Sequence, residues 1–360
     1  MFDSALHEPR TAVVLGRLLG VALLVCFLTG LLSHLLQDPT GWVAGHLPSR
    51  PVNGYRVSQG LHVISGIAAV PLLSAKLWTV YPKLFEWPPV RGGSHAVERL
   101  GIAVLVASML LELFTGLLNT LQWYPWPFPF RQTHFWLAWL AVGGLLLHVA
   151  AKGPLIARHW RRVGPAPAQR RAFLGAVTAS VAAVTLVTAG QSVPWLRRTD
   201  LLAPRRPDLG PQGLPVNRTA AQAGTGATPA GWRLRVDGPR PYELTMDDIL
   251  AMPQYEAELP IACVEGWSAS ARWSGVRVAD LLARAGAPPS ARLRVTSLEA
   301  QGPYRVMDMP AAYARDPLTL LALRVNGQVL SADHGYPARI IAPGRPGVLQ
   351  TKWVALMEVL

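Results

Sequence analysis

Residues 263–276 read Cys-Val-Glu-Gly-Trp-Ser-Ala-Ser-Ala-Arg-Trp-Ser-Gly-Val. Just upstream, Glu258–Val264 has the length and composition of a buried strand, which places Cys263 at a strand end. Downstream, Val276–Ala285 carries apolar residues at helical spacing and stops at Gly286. The same short alternation continues on both sides. Thr245-Met246-Asp247-Asp248 opens a helix as a capping box, ended before Pro253. Arg292–Leu298, Ala338–Ala342 and Trp353–Leu360 read as strands, with Asn326-Gly327 as a tight hairpin turn. These elements predict an α+β domain over residues 231–360. The other cysteine, Cys26, sits inside a long apolar run far upstream. A disulfide between the two is not expected, and a zinc site of the CxxC type is excluded by count.

Further out, residues 191–230 hold prolines at 194, 204, 207, 211, 215 and 229 with little periodicity. That composition predicts an extended, semi-rigid linker over 192–230. Before it, five runs are long enough to cross a bilayer, roughly 18–36, 57–80, 100–121, 134–151 and 172–190. The expected architecture is an all-α transmembrane bundle followed by the α+β domain. The first four spans form a unit over 1–167, and the fifth helix occupies 168–191.

The 360-residue chain carries a formal charge of +13, which invites a nucleic-acid reading. Its distribution argues against one. Residues 231–360 hold 14 Lys/Arg against 13 Asp/Glu, so the excess lies with the spans and the linker. The N-terminus and the loops 81–99 and 152–171 carry 11 Lys/Arg, whereas loops 37–56 and 122–133 carry 3. By the positive-inside rule the N-terminus is cytoplasmic in the inner membrane, and five spans put the C-terminal domain outside. The fifth span opens Arg170-Arg171-Ala172-Phe173-Leu174, which matches a twin-arginine export signal in an internal position.

Histidines within spans are costly and point to function. His134 and His148 lie 14 residues apart on one span, so they share a face about 21 Å apart, suited to one axial ligand for each of two stacked haems. His62 is the expected partner of His134, with His34 as the competing choice, and His95 is the candidate partner of His148. Lys76 and Glu112 are also intramembrane; they pair with each other, Glu112 relays protons at a quinone pocket, or both make polar contacts inside the bundle. The region from Gln59-Gly60-Leu61-His62 through His134 to His148 resembles four-helix di-haem cytochromes b. Respiratory members carry a second histidine 14 residues after the first on the second span. Here that position is Lys76, a departure from the pattern.

The Cys263-Val264-Glu265-Gly266-Trp267-Ser268 segment, followed by Trp273-Ser274-Gly275-Val276, resembles the cysteine segment of the sulfite oxidase family of molybdopterin enzymes. The stretch from His334-Gly335-Tyr336-Pro337-Ala338-Arg339 through Pro343-Gly344-Arg345 to Lys352-Trp353 resembles the same family's pterin-binding region. The Cys-Val-Glu-X-Trp form is most similar to the periplasmic methionine sulfoxide reductase branch. The resemblance implies that the Cys263 thiolate binds molybdenum, a soft ligand for that metal. It also implies that His334, Arg339, Arg345, Gly347, Thr351 and Lys352 hold the pterin and its phosphate, with Asn217 reaching the pterin. Tyr304 and Arg305 are candidates to line the metal's open face.

Together these readings predict a membrane-bound molybdenum oxidoreductase. It would transfer oxygen on a sulfoxide or similar oxo-substrate and exchange electrons with the quinone pool through haem b. The alternative is a haem-only electron-transfer protein whose outer domain binds a partner without catalysis.

Overall fold

The computed structural model describes residues 6–160, 167–203, 205–226 and 230–360. Arg161 and Arg162, counted for orientation, and the linker prolines Pro204 and Pro229 lie outside the described residues. The chain divides into two compact units. One comprises Met1–Gly30, Leu61–Ala189 and Thr199–Pro204; the other comprises Leu31–Gly60, Gly190–Arg198 and Arg205–Leu360.

The helical unit is built on α1 (Pro9–Gln37), α3 (Gly54–Leu84), α4 (Gly93–Leu121), α5 (Phe130–His159) and α6 (Ala168–Ala189); a short α2 (Gly41–His46) follows α1. All five long helices are long and apolar enough to cross a membrane. They are apolar around their circumference, yet only 11–33% of each apolar window is buried. Such surfaces need an apolar solvent, because helices satisfy their own backbone and only lipid matches the exposed leucines. The chain is a multi-pass membrane protein. Its helices meet through small residues: at Gly144 an added Cβ would stand 3.2 Å from Leu105 Cβ. Lys76 does not pair with Glu112. Its Nζ donates to the Ala12 carbonyl at 2.5 Å, while Glu112 Oε2 lies 3.2 Å from His134 Nε2.

The second unit holds two sheets. The first runs β2 (Tyr242–Thr245), β1 (Arg233–Asp237), β10 (Val354–Val359), β5 (Leu293–Ser297), β6 (Val306–Met309), with β1 and β10 parallel. The second runs β3 (Tyr255–Ala262), β4 (Ser268–Arg277), β7 (Leu320–Val325), β8 (Gln328–Val329), and β9 (Arg339–Ile341) also pairs with β7. Short helices α7 (Ala220–Ala223), α8 (Met246–Ala251), α9 (Val278–Arg284) and α10 (Ala311–Ala314) complete it. One core packs Leu281 and Leu282 of α9 against Leu234, Leu293 and Met357 of the first sheet. Another surrounds Trp273, wholly buried, whose indole N–H donates to the Leu259 carbonyl.

The Thr245 capping box forms as its sequence predicts, with Thr245 and Asp248 satisfying each other's backbone N–H groups. The Asn326-Gly327 turn forms too, both residues at positive φ. Two boundaries differ. Val276 and Arg277 continue β4 because they pair with Leu321 and Leu320, so the helix starts only at Val278. The strand before the cysteine ends at Ala262, leaving Cys263 and Val264 in the loop. The stretch read as an extended linker is packed over much of its described part. Leu214, Ala220, Ala223 and Thr225 are buried, and α7 carries a Thr219–Gln222 capping box. Its prolines break regular structure but leave its apolar side chains free to seek a core.

Candidate functional site

β3 and β4 form a long antiparallel hairpin closed by Ala262 opposite Ser268. The connection is therefore the five residues Cys263–Trp267. Within it Cys263 N–H donates to the Trp267 carbonyl at 2.9 Å, and Gly266 N–H to the Cys263 carbonyl at 3.1 Å. Gly266 turns at φ +97°, a conformation that suits glycine. The loop thus holds Cys263 at the rim of a rigid sheet, with its side chain buried.

Asn217 and Glu265 meet the thiol, and Trp267 holds both of them. Asn217 Nδ2 donates to Cys263 Sγ at 2.7 Å and also to Glu265 Oε2. Trp267 Nε1 donates to Glu265 Oε2 and to Asn217 Oδ1, both at 3.1 Å. Burial, reinforced by the Glu265 carboxylate, pushes the Cys263 thiol well above its ordinary range. A thiolate here needs a cation to bind it.

The cationic groups come from the chain's last 30 residues. Arg339 Nη1 donates to the His334 carbonyl at 3.1 Å, while its Nε is buried with no hydrogen-bond partner. Lys352 Nζ donates to the carbonyls of Arg218 and Asp333 at 3.0 and 2.7 Å. Gly335, at φ +107°, lets these two side chains approach: an added Cβ would stand 3.0 Å from Lys352 Cβ and 3.1 Å from Arg339 Cβ. Burial brings the Arg339 guanidinium down to about 10. Burial and then the Arg339 charge bring the Lys352 amine down to about 7. Burial takes His334 down to about 4, and its Nε2–H donates to the Pro211 carbonyl at 2.7 Å. Among the described residues neither Arg339 nor Lys352 forms an ion pair, although Asp333 and Glu299 lie within electrostatic reach of Lys352.

Residues 222–360 match the family model described as the oxidoreductase molybdopterin binding domain. Human mitochondrial sulfite oxidase is 31% identical over 160 residues, covering 36% of this chain and 29% of that one. The protein-methionine-sulfoxide reductase catalytic subunit MsrP of Ralstonia nicotianae is 35% identical over 150 residues, covering 37% and 44%. The uncharacterized oxidoreductase YuiH of Bacillus subtilis is 32% identical over 126 residues, covering 34% and 62%. In each case the chain spans less than two thirds of the relative's length. The C-terminal domain is a sulfite oxidase-type molybdopterin domain.

The molybdopterin domain fits its cofactor in two respects. A buried thiol held by an amide offers a metal ligand, and a buried guanidinium with an orphaned N–H beside the half-buried Lys352 amine offers a cradle for a phosphate. Asn217, at first sight only a linker residue, touches the thiol itself. Gly347 serves by close approach: a Cβ there would stand 2.9 Å from the Ala262 carbonyl, next to Cys263. Thr351 is buried and its carbonyl accepts from Ile340 N–H at 2.8 Å.

Arg345 is placed differently from Arg339. Its Nε and Nη2 donate to the carbonyls of Leu349 and Asp308, which braces the 345–350 loop. Arg305 is exposed, and its Nε donates to the Glu299 carbonyl at 2.8 Å. Tyr304 stands within electrostatic reach of Tyr55. Sequence reasoning missed Glu265 as the second anion at the thiol. It also missed Arg218, ion-paired to buried Glu299 at 2.6 Å.

In the helical unit His62 and His134 come together, their ring centroids 6.1 Å apart and the planes near perpendicular. Thr115 Oγ1 bonds His134 Nδ1 at 2.9 Å, and Cys26 O accepts from His62 Nδ1 at 2.8 Å. A Cβ at Gly30 would strike the His62 ring at 2.7 Å, so that glycine makes room for it. His95 and His148 both lie within electrostatic reach of Glu98, which is ion-paired to Lys152. His34 belongs to the other unit.

Proposed function

We propose that this protein is a membrane-bound molybdenum oxidoreductase that transfers an oxygen atom from a sulfoxide or similar small oxo-substrate at the extracytoplasmic face. The observation that carries the reading is the buried Cys263 thiol, bonded by Asn217 in a domain whose Arg339 guanidinium keeps a buried N–H without a partner among the described residues. Reduction of a sulfoxide takes two electrons and two protons and releases a thioether and water. The pterin-bound molybdenum, when present, supplies the oxygen-transfer and two-electron chemistry.

The residues of this chain do the rest. Cys263 is the protein ligand to the metal, and the rigid β3–β4 hairpin fixes its direction. Asn217 donates to the sulfur and, with Trp267, fixes the Glu265 carboxylate. Arg339 and Lys352 bind the pterin phosphate, His334 and Gly347–Thr351 line the same stretch, and Arg345 stabilises its loop. Tyr304 and Arg305 face the substrate side.

Haem b, when bound, would supply one-electron transfer from quinol. His62 and His134 would hold its iron, supported by the approach of their rings; Glu112 bonds His134 Nε2. His148 with His95 is the inner pair. The N-terminus is cytoplasmic in the inner membrane, and the Arg170-Arg171 pair directs export of the folded domain. Arg170 is largely buried and ion-paired to Glu8 at 3.3 Å.

Metal and haem analysis of the purified full-length protein tests this directly. Molybdenum near one per chain and a Soret band lost in His134→Ala are expected. Cys263→Ser is expected to lower dimethyl sulfoxide reduction at least a hundredfold. A preparation without molybdenum, or Cys263→Ser at wild-type rate, would overturn the reading.

A further inference from the structure

The loop that carries Cys263 is held from outside its own sheet. Residues Leu31–Gly60 and Gly190–Arg198 belong to the same compact unit as the molybdopterin domain. Gln59 Nε2 donates to the Val264 carbonyl at 2.6 Å. Ser192 Oγ donates to the Gly266 carbonyl, and Ser268 N–H to the Gln191 carbonyl. Arg56 reaches Ser268 Oγ and Ser270 Oγ at 2.8 and 2.9 Å. Further along, Arg50 forms a two-pronged pair with buried Asp316 at 2.9 and 3.0 Å.

Tyr55 lies on the same helical face as Gln59, four residues earlier, and so faces the same loop. It is only 1% exposed. Its hydroxyl stands within electrostatic reach of Cys263, Glu265 and Tyr304. Gln37 Nε2 donates to that hydroxyl at 3.0 Å. The oxygen thus accepts from Gln37 and keeps its own proton, for which no acceptor is found among the described residues. A buried hydroxyl with a fixed oxygen and an unused proton beside a reactive centre is prepared to donate to something that enters. The two neighbours on this helix turn also have unmet polar atoms, Gln59 Oε1 and Arg56 Nη2.

We infer that Tyr55 is a positioning residue of the molybdenum site: held by Gln37, its hydroxyl donates a hydrogen bond to the oxygen of the oxo-substrate beside Cys263. The turn between the first two spans thereby supplies one wall of the pocket. This inference rests on the reading of Cys263 as the metal ligand.

Two variants of the full-length protein test it, with two readouts. Tyr55→Phe keeps the ring and removes the donor. It is expected to retain wild-type molybdenum content, to raise KM for dimethyl sulfoxide about tenfold and to leave kcat within about threefold, as loss of one binding hydrogen bond does. Tyr55→Ala opens the wall. In full-length protein produced without the cofactor, Cys263 is expected to be alkylated by iodoacetamide about tenfold faster than in wild type, and in Tyr55→Phe at the wild-type rate. A Tyr55→Phe enzyme with wild-type KM, or a Tyr55→Ala protein with wild-type alkylation, overturns the inference. Absence of molybdenum from wild-type protein would instead sink the functional reading, and the alkylation rates would still decide whether Tyr55 covers the thiol.

Discussion

At the thiol, one amide and one carboxylate set the chemistry. Asn217→Ala removes the donor to Cys263 Sγ and one of the partners of Glu265. Because Trp267 still serves the carboxylate, a cost of about 1–3 kcal/mol is expected, read as a lower melting temperature in detergent, with molybdenum content reduced. Lys352 provides a pH signature. In the unloaded domain its amine, lowered to about 7 by burial and Arg339, loses its proton as pH rises through that value. A bound phosphate favours the charged form and keeps it protonated to higher pH. Affinity for a phosphate monoester such as the phosphate-ended pterin should therefore fall between pH 7 and 9, by at most about tenfold per unit, a window in which a monoester, with its second pKa at about 6, is already mostly dianionic. Titrating the unloaded protein across that range checks this, and Lys352→Met should flatten the slope.

At the scale of elements, the β3–β4 hairpin and the 345–351 loop work as a pair. Gly347 presses on the Ala262 carbonyl, so an alanine there must displace either the loop or the strand end bearing Cys263. Gly347→Ala is expected to cost about 1–3 kcal/mol by overpacking. It should also lower the molybdenum per chain, measured by elemental analysis against protein concentration. Gly275 sits where the β4–β7 register shifts, and a Cβ there would fall on the Leu321 carbonyl. The hairpin's Trp-Ser-Gly-Val run is thus partly a packing signature. Only its Cys-Val-Glu-Gly-Trp portion bears the buried thiol.

At the scale of the molecule, the molybdopterin domain does not begin where the family match begins. Residues 31–60 and 190–198 belong to it by contact, and they bond the carbonyls of Val264 and Gly266. A fragment of residues 205–360 loses those bonds and exposes the backbone around the metal ligand. Such a fragment should melt several degrees below the full-length protein and lose molybdenum on dialysis, whereas one retaining 190–198 should lose it more slowly. Equal retention by both fragments and the full chain would show that the outer segments are dispensable.

Much of this was legible without coordinates. The apolar runs are long enough that membrane helices follow from length and transfer energy alone, and capping boxes and the Asn326-Gly327 turn are local by nature. Cys263 stood out because a lone cysteine among Glu265, Gly266 and Trp267 forms a pattern in adjacent residues. Contacts between distant segments were not legible. Asn217 on the thiol, the pairing of Glu112 with His134 in place of Lys76, the bracing role of Arg345 and the delivery of Tyr55 to Cys263 each join residues far apart in the chain. A local pattern records which conformations a segment favours. Only the packing of buried polar groups, each obliged to find a partner or a ligand, decided which distant side chains share the site.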